Sequence, residues 1–384
     1  MANLLNIVAD ENIPKAQEYF SSLGHVSRVD GRLLSREQLM DTDILLVRSV
    51  TQVNRQLLHG TRVRFVATAT IGIDHLDTQY LDEMGIKWVS APGSNANSVV
   101  DYVVSALCRL GDTFSNLLNG STLGIIGMGN VGASLYQRFE RLGVSCKAYD
   151  PLIAQDRFPL LTSLSEVLDC EVVCCHAPLS TQGDYPSLHM IDGESLNQLR
   201  DGAVLINAGR GGVIDNAALK TVLAKRGDLQ VVLDVWENEP TIDQQLLAQV
   251  QYGSAHIAGY SLDGKLAGTQ MIYRACCEFL ECSDSEIDEG GAVATIELRP
   301  GQSFMAGIRE AVFHCYDIAG DDSRLRTACA NAVDTQALAQ AFDQLRKHYP
   351  LRREFSHYRI GNTQVLEGNL LRSLSALGFN LGGR

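Results

Sequence analysis

Three apolar stretches in this chain each run into a polar residue suited to handling an alcohol and a carboxylate. Residues 203–206 lead into Asn207-Ala-Gly-Arg210-Gly-Gly212. Residues 231–235 carry Asp234 and continue as Val235-Trp-Glu-Asn-Glu239-Pro240. The stretch 253–257 contains Ala255-His256, followed by Ile-Ala-Gly259-Tyr260. An arginine between glycines just past a strand is placed to grip a planar carboxylate with two hydrogen bonds. Histidine has the pKa to take the proton of a secondary alcohol, and a carboxylate partner orients the ring and stabilises its protonated form. Taken singly, each has a plainer reading as a surface arginine, a solvated turn acid or a structural histidine. Taken together, Arg210, Glu239 and His256 fit the oxidation of a 2-hydroxy acid. The base removes the hydroxyl proton, and the arginine fixes the carboxylate and polarises the adjacent oxygen.

Such a reaction needs a hydride acceptor, and the segment 123–132 supplies its seat. A short apolar strand runs into Gly127, Gly129 and Gly132 at G-x-G-x-x-G spacing, a helical pattern covers 133–142, and the strand 145–149 ends at Asp150. Gly127 permits a tight turn, Gly129 allows the backbone to approach a pyrophosphate, and Gly132 allows close helix–strand packing. Met128, Asn130 and Val131 belong to the same expected binding loop, and the helix amino terminus favours phosphate. Asp150 is placed to accept from ribose hydroxyls and to repel a 2′-phosphate, so the expected cofactor is NAD rather than NADP.

The elements that must position these residues are legible as alternation. Strands are expected near 5–9, 25–29, 44–47, 65–69 and 87–90, with helical stretches between them, as in a small parallel α/β unit. Apolar residues at one-face spacing over 97–110 predict a long helix, with Asn95 or Asn97 as its cap. Strands at 122–126, 145–149, 171–175, 203–206, 230–234 and 253–257 predict a doubly wound parallel sheet, whose ligands sit beyond the carboxyl ends of its strands. A helix over 261–280 follows, and the acidic, glycine-ended run from Glu281 to Gly291 reads as a linker. Beyond it, strands at 293–298 and 354–360 and helices at 305–318, 334–348 and 365–377 form a third unit too small to bury a large core alone. Packing against a second subunit is the expected remedy.

Bulk properties exclude several classes. A formal charge of −13 argues against nonspecific nucleic-acid binding, and any anionic substrate must meet a local cluster of cations. No apolar run approaches a membrane span. The first ten residues lack a basic region followed by an apolar core, so a reducing cytoplasm is expected. Ten cysteines, including Cys174-Cys175 and Cys276-Cys277, show no C-x-x-C spacing; buried thiols are expected, and no metal.

With Gly127–Gly132 and Asp150, the Arg210 loop, the Asp234–Pro240 run and His256-Ile-Ala-Gly259 in this order, the chain resembles the D-isomer-specific 2-hydroxyacid dehydrogenases over residues 1–285. The resemblance implies a Rossmann NAD domain at 96–256, inserted in a flavodoxin-like substrate domain made of 1–95 and 257–285. A small α/β domain at 286–384 would serve dimerisation, giving a homodimer. It implies Arg210, Glu239 and His256 as the catalytic trio and Asp234 beside the nicotinamide. His176, Ala177, Pro178, Ala208, Gly209 and Gly259 would line the cofactor.

Val47-Arg48-Ser49-Val50-Thr51, the run from Ala67 to Asp77, Ala91-Pro-Gly-Ser94 and Tyr260 resemble a branch acting on a small phosphorylated hydroxy acid. By that resemblance Ser49, Thr70 and Tyr260 contact substrate. Arg48 is the first candidate for the phosphate, with Arg352 and Arg353 behind it. Two alternatives stay open: the same chemistry on a shorter phosphorylated acid, and an NADH-sensing binding protein.

Overall fold

The structure is a computed structural model that describes residues 4–154, 157–284 and 293–382. It divides into two compact units. One takes in the residues up to Asn95 together with those from Ser261; the other begins at Ala96, runs to Tyr260 and resumes at Val293.

The first unit holds five parallel strands: β1 (Leu5–Asp10), β2 (Gly24–Val29), β3 (Ile44–Val47), β4 (Phe65–Thr68) and β5 (Lys87–Val89). Their order is β2-β1-β3-β4-β5, so the winding reverses between β1 and β3. Alternation explains why both faces are covered. Ile44, Leu46, Phe65 and Ala67 point to the side of Ile272, Tyr273 and Cys276, on the helix Leu262–Phe279. Leu45, Val47 and Val66 point to the opposite side, against Leu57, Leu58, Tyr80 and Leu81.

The second unit is built on six parallel strands, β6 (Thr122–Ile126), β7 (Ser145–Tyr149), β8 (Val172–Cys175), β9 (Val204–Asn207), β10 (Gln230–Leu233) and β11 (Tyr252–Gly253). The order β11-β10-β9-β8-β6-β7 reverses between β6 and β8, which opens a crevice at their carboxyl ends. The doubly wound fold expected from the sequence is present. β11 is shorter than the expected strand at 253–257. Beyond Gly253, Ser254 and His256 turn back to β10, with the Ser254 amide on Leu233 O at 2.9 Å and the His256 amide on Asp234 O at 2.7 Å.

The C-terminal region has its own three-stranded parallel sheet, β12 (Ala294–Ile296), β13 (Tyr358–Ile360) and β14 (Asn380–Leu381), in the order β12-β13-β14. It also shares one interior with the six-stranded sheet. Ile308, Val312, Phe355 and Phe379 lie in the same apolar cluster as Val103, Leu107 and Phe139. Polar ties run alongside. Asp101, on the long helix Ala96–Arg109, accepts from Arg138 and from the Phe355 amide at 2.9 Å. Ser105 Oγ donates to Tyr316 O at 3.1 Å.

The helix expected over 305–318 is Phe304–Cys315, and a second helix that was not expected, Ile318–Asn331, follows it, with Asp317 capping it through the Ala319 amide. The strand expected over 354–360 begins as a single 3-10 turn, Phe355–His357. Much of the expected 281–291 linker lies outside the described residues. All ten cysteines are free thiols. Seven of them are buried, including both adjacent pairs, as their apolar settings predict. Among the described residues no helix is long and apolar enough to cross a membrane.

Candidate active site

The glycine loop leaves β6 at the switch point of the six-stranded sheet. Gly127 has φ +90°, and a Cβ there would stand 2.7 Å from the Ala177 nitrogen. Only glycine fits, because the turn is left-handed and the His176–Ala177 backbone presses on it. A Cβ on Gly132 would come within 2.0 Å of Gly127 O, so the helix Asn130–Arg141 lies directly on the turn. Gly129 caps that helix and faces open space, with nothing within 4 Å of its would-be Cβ. The Asp150 carboxylate accepts from the Met128 amide at 2.8 Å and the Leu152 amide at 3.1 Å, tying the loop to the end of β7.

His176 follows β8 across the same crevice. Both its ring nitrogens are shut off from solvent, and neither has a hydrogen-bond partner. Burial alone pushes the imidazole down to about 4, so it is neutral. A buried imidazole with two unmatched nitrogens, an open Gly129 and an exposed helix amino terminus are what a dinucleotide seat requires. These residues fit NAD. Gly209 adds to the cradle, since a Cβ there would stand 2.9 Å from Ala177 O. Ala208 is bound to the same strand end, its amide on Cys175 O at 3.2 Å. Pro178 O accepts from Ser187 Oγ at 2.6 Å.

The acid sensitivity of the fold follows from this setting. In the unfolded chain His176 titrates near 6.5, against about 4 in the folded state, so protons favour unfolding. Its contribution is complete above pH 6.5 and is lost as the pH falls towards 4, to the extent of about 3 kcal/mol. His75, also pushed down to about 4 by burial against the pull of Asp74, acts in the same sense. Urea unfolding of the NAD-free chain at stepped pH should show the His176 contribution to this slope, and His176→Gln should make the slope shallower. An unaltered slope in the variant would assign the acid sensitivity to other groups.

Three adjacent strand ends deliver the candidate trio. After β9, Asn207 fixes its own turn: its Nδ2 donates to Arg210 O at 3.0 Å and its Oδ1 accepts from the Gly209 amide at 3.1 Å. A Cβ on Gly211 would stand 2.0 Å from the Trp236 carbonyl, so the Arg210 loop lies flat on the next one. After β10, Glu239 Oε1 accepts from the Trp236 amide at 2.8 Å, and its Oε2 meets His256 Nδ1 at 2.8 Å. That bond leaves His256 Nε2 as the ring nitrogen for a substrate. The histidine is held at φ 55°, a left-handed conformation rare outside glycine.

Asp234 holds this strained turn in place. Its carboxylate is buried and accepts from Ser254 Oγ at 2.6 Å and the Ile257 amide at 2.8 Å, and from the Ala258 amide at 2.9 Å. Burial pushes its pKa up, against the pull of His256 and these donors. Glu239 goes the other way. Burial would raise it, but the His256 charge and hydrogen bond, the Trp236 amide and Arg346 together bring it below the ordinary glutamate range.

Sequence reasoning missed Arg346 because it lies about ninety residues beyond the signature. The turn continues past Gly259 to Tyr260, whose ring packs edge-on against Tyr349 at 5.7 Å. Arg352, expected as a possible phosphate contact, is buried and committed elsewhere. Its guanidinium lies 3.6 Å from the Tyr316 ring centroid and donates to Ala258 O and Ser98 O at 3.2 and 2.5 Å. That removes it as a substrate group.

In the first unit, Arg48 and Ser49 follow β3 at that sheet's own switch point. Thr70 lies just past β4, with Thr68 Oγ1 at 2.7 Å and Gly72 O at 3.2 Å. Lys265 is a further cation that sequence reasoning passed over, set one turn into the helix Leu262–Phe279. Burial and the neighbouring Arg48 charge push its ammonium down to about 8.

Residues 104–258 match the D-isomer specific 2-hydroxyacid dehydrogenase, NAD binding domain, and residues 291–378 match a domain of unknown function (DUF3410). The chain is 48% identical to the erythronate-4-phosphate dehydrogenase of Cellvibrio japonicus, with 98% of this chain and 99% of that one covered. It is 44% identical to the same enzyme of Teredinibacter turnerae over equal shares. The chain belongs to the D-isomer-specific 2-hydroxyacid dehydrogenase family. Its fold is that of solved D-2-hydroxyacid dehydrogenases. The NAD-bound 3-phosphoglycerate dehydrogenase of Entamoeba histolytica matches 73% of this chain and 96% of its own length, with a TM-score of 0.61 and 23% identity. The D-lactate dehydrogenase of Aquifex aeolicus matches with a TM-score of 0.58 at 24% identity, covering 72% and 95% of the two chains. As a D-2-hydroxyacid dehydrogenase the chain is an NAD-dependent oxidoreductase.

Proposed function

We propose that the chain oxidises the C2 hydroxyl of 4-phospho-D-erythronate to (R)-3-hydroxy-2-oxo-4-phosphooxybutanoate, with NAD as acceptor, on the route to pyridoxal 5′-phosphate. The observation that carries the chemistry is the 2.8 Å bond between Glu239 Oε2 and His256 Nδ1, set beside the Arg210 loop at the carboxyl ends of adjacent strands. Similarity along the whole chain supports the substrate.

His256 Nε2 takes the hydroxyl proton, and Glu239 accepts from Nδ1 and stabilises the imidazolium that results. Arg210 grips the substrate carboxylate and draws charge from C2. NAD, when bound, receives the hydride. Gly127–Gly132, Asp150, His176–Pro178, Ala208, Gly209, Asp234 and Gly259 would hold it. Ser49, Thr70 and Tyr260 are the proposed substrate contacts. Arg48 and Lys265 set two cations close together at the end of β3, which suits the phosphate of a substrate that the chain's net charge would repel. Two copies are proposed to pair through the C-terminal region, where Val293, Val333, Leu351, Val365 and Leu381 are exposed apolar side chains.

Purified enzyme with NAD should turn over 4-phospho-D-erythronate with a kcat/KM about 100-fold above that for 3-phosphoglycerate or unphosphorylated D-erythronate. Comparable values for the two phosphorylated acids would reassign the substrate. Tight NADH binding with no turnover of any of them would support a sensor instead.

A further inference from the structure

The helix Thr335–Lys347, in the C-terminal region, ends in two basic residues with different fates. Lys347 is exposed, as expected of a cation near a helix carboxyl terminus. Arg346 is turned inward, its guanidinium carbon 5.8 Å from the Tyr260 ring centroid. Its Nε is shut off from solvent without a hydrogen-bond partner. Arg326 of the same unit has all three nitrogens matched, with Nε on Asp322 at 2.9 Å, Nη1 on Leu247 O at 2.7 Å and Nη2 on Val250 O at 2.9 Å. The structural Arg352 also leaves its Nε unmatched, so the place of Arg346 decides its reading: its guanidinium lies against the Tyr260 ring, in the loop that follows His256, and acts electrostatically on Glu239.

We propose that Arg346 is a positioning residue of the dehydrogenase site, reaching from the C-terminal region to seat Tyr260 and to set a fixed positive charge on the side of the Glu239–His256 pair. The groups facing Glu239 are His256 from the loop after β11, the Trp236 amide from its own loop, and Arg346. Those facing Arg346 are Tyr260, Glu239 and, on its own helix, Asp343. Burial opposes the Arg346 charge, yet Tyr260 and Glu239 together favour it, so the guanidinium stays charged inside the protein. Removing that charge takes a cation from beside the carboxylate, and the Glu239 titration must move upward. Placing a C-terminal residue here also makes that region part of the reacting centre, beyond any role in pairing two copies.

The inference rests on the proposed dehydrogenase reading, and the test separates the two. In full-length enzyme, Arg346→Gln should lower kcat with NAD and 4-phospho-D-erythronate about tenfold, with the NAD dissociation constant within twofold of wild type. The acid limb of kcat/KM should move up by about one pH unit, and Arg346→Lys should restore most of both. A carbon-13 titration of the Glu239 carboxyl, assigned by Glu239→Gln, needs no substrate and should show the same upward shift. Wild-type kinetics and an unmoved titration in a folded Arg346→Gln variant would overturn the inference. Failure of the wild type on every hydroxy acid would overturn the activity, while the carboxyl titration still decides the role of Arg346. Should the glutamine variant not fold, Arg346→Met keeps the apolar stem and takes its place. If neither charge-free variant folds, the arginine is structural and the inference falls.

Discussion

Asparagine in place of His256 is expected to lower kcat about 1,000-fold while changing NAD affinity by less than about twofold, because only the proton acceptor is lost. Asparagine is the informative choice. His256 sits at φ 55°, a conformation asparagine adopts more readily than other side chains outside glycine. The backbone bond from position 256 to Asp234 O, and the Asp234 cage around Ile257 and Ala258, do not depend on the ring. The variant should therefore fold and bind cofactor normally. Steady-state rates set beside calorimetric NAD titration read the two effects separately. Parallel loss of turnover and NAD binding would mean that the histidine holds the loop rather than the proton.

Gly132→Ala is expected to weaken NAD binding by about 10- to 100-fold and to lower the thermal midpoint by several degrees. The added methyl would lie 2.0 Å from Gly127 O and 3.2 Å from Ile125 Cγ2, so the helix Asn130–Arg141 must move off β6. Overpacking of that kind costs about 1–3 kcal/mol, and the displaced helix end carries the proposed phosphate-binding amides with it. Gly129→Ala is the matched control, because its methyl enters open space. That variant should keep its thermal midpoint and lose only cofactor affinity. If the two variants lose stability and NAD to the same degree, the distinction between helix packing and cofactor approach is wrong. Differential scanning fluorimetry with and without NAD reads both.

What the sequence disclosed and what it hid divide along the range of the interaction. The glycine turn, the capped helix after it and Asp150 lie within about 25 consecutive residues, and their geometry follows from spacing. The three polar strand ends were legible because parallel strands wound in one direction must place their carboxyl ends together. The short β11 was not, since the chain turns at Ser254 to meet Asp234 twenty residues earlier, and an apolar run cannot show a partner at that distance. The helix Ile318–Asn331 was passed over because Gly320, Asp321, Asp322 and Ser323 fill its first turns. Asp321 is instead buried between the hydroxyls of Tyr316 and Tyr349, at 2.7 and 2.8 Å. Arg352 stood out in the sequence as a late basic residue and Arg346 did not; the first is consumed by main-chain carbonyls, and the second lies by Tyr260 and acts on Glu239.

Phe355, Ile308 and Val312 share a single interior with Val103 and Leu107, and this binds the fate of the last ninety residues to that of the nucleotide-type sheet. Stripping those residues away would bare the oily flank of the Ala96–Arg109 helix and deprive the segment behind His256 of its backing at Ala258. The chain is therefore not a catalytic body with a detachable tail. Heat or a protease that loosens the end of the polypeptide loosens the machinery at its middle.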